Sequence, residues 1–109
     1  MKIEGAPFAM VDWERVPETE HPGETGTAWW RTLAIGDIRV RRVRYSPGYR
    51  ADHWCSKGHV LLVLEGELVT ELEDGRSVVM QPGMGYHVAD EGMPHRSATA
   101  GGATLFIVD

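Results

Sequence analysis

The sequence has one cysteine, no long apolar run and no block of basic residues. Each shortage removes a class of protein. A single thiol forms no internal disulfide, so a disulfide-stapled scaffold is excluded and a reducing cytoplasm is the expected home. No apolar stretch approaches the ~20 residues that cross a bilayer as a helix. The opening "MKIEGAPFAMVDWERV" carries an apolar patch that ends at Asp12, too short for the core of a signal peptide. Lys and Arg number 11 against 16 Asp and Glu, a net charge of −5, which argues against nucleic acid as a partner. Room for a helix is scarce as well. With 13 Gly and 6 Pro, the longest stretch free of both is Asp37 to Ser46, shorter than an average helix of about 11–12 residues.

What remains is a series of short segments rich in Val, Leu, Thr, Trp and Arg, the pattern of a β-sandwich or barrel. The segments predict strands at 27–35, 37–46, 51–55, 59–65, 67–73, 76–80, 85–90, 94–99 and 103–108. Asp74-Gly75 predicts a hairpin with a type I′ turn. At 109 residues the chain is one domain. Residues 1–26, with Pro7, Pro17, Pro22 and Gly23, read as an extended arm, and 27–109 as the barrel. Leu61, Val63, Leu68, Leu72 and Val88 are the expected core.

The segment "ADHWCSKGHVLLVLEGEL" gathers the chemistry. Side chains alternate across a strand, so His53, Cys55, His59, Leu61 and Val63 share one parity. Leu61 and Val63 make that face the inner one. Imidazoles and a thiol are costly there unless something satisfies them, and a divalent metal would do so. His95, after Gly92-Met93-Pro94, is the fourth candidate. The alternative is a set of separately hydrogen-bonded pocket residues with no metal. His87 is expected to face outward between inward Tyr86 and Val88, and His21 to be solvated. Asp52, Glu65 and Asp90 are expected to point outward or cap turns. Most of Arg39, Arg41, Arg42 and Arg44 fall on a solvated face, with Arg42 or Arg44 the candidate to turn inward toward a substrate carboxylate. Trp13, Trp29, Trp30 and Trp54 read as core and subunit contacts.

These residues resemble the motifs of the cupins. Gly48, His53-Trp54-Cys55, His59 and Gly66 follow the first cupin motif, with Cys55 where the second His stands and His59 where Glu stands. Gly85 through Gly92-Met93-Pro94-His95 is similar to the second motif, with Asp90 in the Pro position and Thr99 in place of the closing Asn. The resemblance covers about residues 37–108. It implies an all-β, cupin-type double-stranded β-helix (a jelly-roll barrel, RmlC-like) with His53, Cys55, His59 and His95 as metal ligands. The softer donor set favours Zn, Fe(II) or Ni over Mn. With four protein ligands the site is closed and structural; with three it stays open for substrate. The implied function is a metal-dependent dioxygenase, isomerase or lyase acting on a small polar molecule. The alternatives are a small-molecule binding or sensing module, or a metal-stabilised barrel with an interaction role. Cupins often dimerise, so a C2 homodimer is the expected assembly.

Overall fold

The computed structural model describes residues 2–109. A 3-10 turn at Trp13–Arg15 precedes nine strands: β1 Glu18–Pro22, β2 Thr27–Ile35, β3 Ile38–Tyr45, β4 His59–Gly66, β5 Leu68–Leu72, β6 Ser77–Met80, β7 Gly85–Val88, β8 His95–Ala98 and β9 Ala103–Val108. Six of them form one antiparallel sheet in the order β1-β2-β3-β9-β4-β7, and three form a second in the order β6-β5-β8. No helix among the described residues is long and apolar enough to cross a membrane.

The two sheets close over a core set by period-two alternation. On β4, Leu61 and Val63 are buried while Val60, Leu62 and Leu64 are exposed. Val43, Leu105, Ile107, Leu68, Met80, Tyr45, Tyr49, Ala28 and Ala103 complete the cluster. Leu72 and Val88, expected in it, are half-buried and line an apolar cavity at the open side of the smaller sheet. Both are the last residues of their strands, β5 and β7, where burial is incomplete.

Part of the stretch expected as an arm joins the sheet. Residues 18–22 add β1 to the edge of β2, in register from Glu18 opposite Arg31 to Pro22 opposite Thr27. Arg31 fixes the preceding turn by donating to the backbone carbonyls of Trp13, Glu14 and Val16 at 3.3, 3.1 and 2.8 Å. Trp13 in turn meets Phe106 edge-on, ring centroids 5.7 Å apart.

Two local expectations are corrected. The Asp74-Gly75 hairpin is not a type I′ turn, because Asp74 does not take the positive φ that such a turn requires. Gly75 alone does, at φ 96°, and its N–H donates to the Leu72 carbonyl at 3.0 Å while the Leu72 N–H donates to Arg76 at 2.8 Å. This is a three-residue loop ending in a left-handed glycine. The expected strand at 51–55 does not form either. Arg50 bridges Ala98 and Cys55 bridges His95, so five steps along one segment oppose three along β8. The two surplus residues bulge out and break the alternation between Ala51 and Cys55.

None of the tryptophans is fully buried, although Trp30 packs against the core cluster. Trp13, Trp29 and Trp30 are half-buried and Trp54 is exposed. Three of them carry a guanidinium on the ring face: Arg44 on Trp29 at 4.0 Å, Arg41 on Trp30 at 4.5 Å and Arg96 on Trp54 at 4.4 Å.

Candidate metal centre

Cys55, His59 and His95 converge, each offering a donor atom within 4.8 Å of the others. His59 opens β4 and His95 opens β8, so the two imidazoles come from different sheets. Cys55 is locked to His95 through the backbone: the Cys55 N–H donates to the His95 carbonyl at 2.8 Å, and the reverse bond is 3.0 Å. Entry into β4 is fixed by Asp90, whose Oδ1 accepts from the Gly58 N–H at 2.7 Å. Gly58 is required there, since a Cβ would lie 2.6 Å from the Asp90 backbone nitrogen.

The imidazoles have more lone pairs than donors to satisfy them. His95 Nδ1 faces the Met93 carbonyl at 2.9 Å, so that nitrogen carries the proton and Nε2 presents a lone pair. That Nε2 lies 3.1 Å from His59 Nε2, which also meets the Tyr86 hydroxyl at 3.0 Å. His59 Nδ1 is buried without a partner. If His59 is protonated at Nε2 it donates to His95 and leaves Nδ1 orphaned. If it is protonated at Nδ1, two lone pairs face each other. Burial, reinforced by the neighbouring His95, pushes the His59 pKa down from 6.5 to about 4, so the ring is neutral and available as a ligand. A cation between the two Nε2 atoms relieves their facing lone pairs, and two imidazoles with a thiol suit Zn, Fe(II) or Ni.

His53 stands outside this group. Its side chain is 76% exposed, and Nδ1 sits 2.6 Å from the Asp52 carboxylate. The bulge between Arg50 and Cys55 has removed the parity that would have turned it inward. It still lines the cavity of about 280 Å³ that adjoins Cys55, His59 and His95. His87 is exposed. His21 is half-buried rather than solvated, stacked on Trp30 at 3.7 Å and within 2.9 Å of the Thr19 hydroxyl.

The arginines fall on the opposite parity from the one expected. Arg39 and Arg41, in phase with buried Val43 and Tyr45, line the cavity. Arg42 and Arg44 face outward toward Glu14 and Glu18. Arg39 donates to both carboxylate oxygens of Asp109 at 2.9 Å, and Arg41 donates to Oδ2 at 3.0 Å. Asp109 was not anticipated from the sequence, and neither was the closeness of Tyr86 to the imidazoles. Burial pushes the Asp109 carboxyl up, but the bond from Arg39 and the charges of Arg41 and Arg39 outweigh it, leaving it below the usual carboxylate range. For Arg41 burial dominates, with the charge of Arg39 adding to it, and its pKa is lowered.

Neither a protein-family model nor a curated protein matches the sequence. Solved structures do. A predicted oxalate decarboxylase of Thermotoga maritima superposes with TM-score 0.78 at 17% identity, covering 92% of this chain and 96% of that one. Ectoine synthase from P. lautus gives 0.73 at 18% identity over 93% and 76% of the two chains. An RmlC-like cupin from Shewanella frigidimarina gives 0.72 at 19% identity over 96% and 88%. With two antiparallel sheets closed into a barrel and these likenesses across nearly its whole length, the chain has the fold of a small cupin.

Proposed function

We propose that the protein is a metal-binding cupin whose Cys55, His59 and His95 hold a divalent ion beside a cavity for a small polar molecule. One observation carries this reading: three donor residues from two sheets and a bridging loop meet within 4.8 Å, and His59 Nδ1 among them is buried with no hydrogen-bond partner. Three protein donors leave coordination positions open, as catalytic sites do. When bound, the ion supplies Lewis acidity toward a substrate oxygen. The chain's own residues do the rest. Met93 fixes the tautomer of His95, Tyr86 orients His59, and Asp52 holds His53 at the cavity lining. The similar structures include proteins described as a sugar phosphate isomerase, a predicted oxalate decarboxylase and ectoine synthase, which favours chemistry on a small polar substrate. A reducing cytoplasm suits a thiol that must stay free to ligate. A second reading, a binding module without turnover, is favoured by one feature. The only carboxylate lining the cavity among the described residues, Asp109, is engaged by two arginines and is not free to act as a base.

Metal analysis tests the proposal directly. Protein purified without added metal is expected to carry a divalent ion in stoichiometric amount. His59→Ala should weaken its affinity on the order of 100-fold or more, since even residues that only orient ligands account for 10–100-fold. His87→Ala should leave it unchanged. A wild-type chain that takes up neither Zn(II), Fe(II) nor Ni(II) at micromolar concentration would sink the reading.

Assembly as a C2 homodimer belongs to the same proposal. The outward face of β4 leaves Val60, Leu62 and Leu64 exposed at 57%, 41% and 38%, an apolar stripe suited to a second copy. Light scattering is expected to give twice the chain mass of 12.1 kDa. A monomer mass at tens of micromolar would rule the dimer out.

A further inference from the structure

The cavity beside the three ligands is lined by Arg39, Arg41, Lys57 and Arg96, against one carboxylate, Asp109. Arg96 is spent elsewhere, on Glu71 at 3.0 Å. That leaves two guanidiniums and an ammonium facing a single negative charge. The imbalance is sharpest at Arg41. Its side chain is only 8% exposed, it reaches Asp109 through a single nitrogen, and its Nε is buried with no hydrogen-bond partner. Arg39 already takes both oxygens of Asp109 in a forked bond. The ring of Trp30 supports both guanidiniums, at 4.5 Å from Arg41 and 5.7 Å from Arg39, but a π-face does not satisfy in-plane N–H donors. A buried cation without its own counter-ion is expensive. A protein that keeps one in a cavity wall has a place for an anion.

Planar guanidinium matches planar carboxylate, two bonds at once. We infer that the cavity takes a small carboxylic acid, its carboxylate held by Arg41 with help from Lys57 and its remaining polar groups turned toward Cys55, His59 and His95. The volume of about 280 Å³ is that of roughly nine liquid waters at ~30 Å³ each, which fits an acid of about ten heavy atoms or fewer. The orientation of the acid rests on the metal reading above. The carboxylate clamp does not, because none of its residues is among the three ligands.

Calorimetric titration of the protein as purified separates the possibilities. The probes are acetate, oxalate, pyruvate, succinate and benzoate, each paired with its neutral amide. At least one acid is expected to bind ten-fold or more tightly than its amide. Arg41→Met should erase that preference while leaving metal content and far-UV circular dichroism unchanged. Lys57→Met, a change at an exposed side chain, should weaken the acid about three-fold. If Arg41→Met fails to fold, Arg41→Lys, which keeps the charge and loses the fork, is expected to cost at least five-fold. No acid binding more tightly than its amide, or a preference untouched in the folded Arg41 variant and in Lys57→Met, overturns the inference. Repeating the titration after chelation keeps the two readings apart. A preference that survives in a chain that binds no metal upholds the clamp and rejects the metal centre; a metal-loaded chain with no preference does the reverse.

Discussion

Asp109→Ala is expected to destabilise the fold by about 3–5 kcal/mol, the cost of leaving a buried charge without its partner. Asp109 is 1% exposed at the side chain and joins Arg39 and Arg41 on β3. Its removal strands a guanidinium that is itself 8% exposed, beside a second one of the same sign. Asp109→Asn keeps the shape and one acceptor oxygen, and should cost less. The double variant Arg41→Met with Asp109→Leu removes the buried pair but leaves Arg39, 35% exposed, without its carboxylate, and should recover part of the loss. Urea denaturation of the four proteins measures all of this. A loss below 1 kcal/mol for Asp109→Ala would show that water reaches the pair freely.

The second large effect is a dependence of stability on pH centred on His59. Its folded pKa lies at about 4 against an ordinary 6.5. Between these values the unfolded chain binds a proton that the folded chain refuses, so stability falls as pH falls. The contribution is fully present above about 6.5, declines through the window, and is gone below about 4. Two and a half pKa units correspond to about 3 kcal/mol. The experiment uses protein kept metal-free by a chelator. The lowered carboxyls, Asp109 among them, add their own losses at the acid end of the same scan. The difference between wild type and His59→Asn therefore isolates the imidazole. Parallel stability curves for the two proteins between pH 6.5 and 4 would contradict the assignment.

The barrel was legible in the sequence because glycine and proline cut the chain into lengths that only strands fill, and alternation placed Leu61 and Val63 inside. The same alternation misplaced His53, since two surplus residues opposite β8 erase the phase that a strand would have carried from Cys55 backwards. It also left the arginines undecided. Four of them fall within six positions, two on each face, and the choice required knowing that Val43 and Tyr45 point inward. Asp109 left no local signal at all. It lies 70 residues from Arg39 along the chain and reaches it only because β3 and β9 pair. Contacts made by closing a sheet are invisible to any window of sequence shorter than the loop they close.

The lock between Cys55 and His95 has a mechanical consequence. These two move together, joined by a pair of backbone bonds, whereas His59 rides on the opposite sheet. A solute that wedges the sheets apart would stretch the span between His59 and His95 and leave that between Cys55 and His95 untouched. The trio would then act as a caliper with one fixed jaw and one sliding jaw, converting the spacing of two β-sheets into the bite angle offered at a single point.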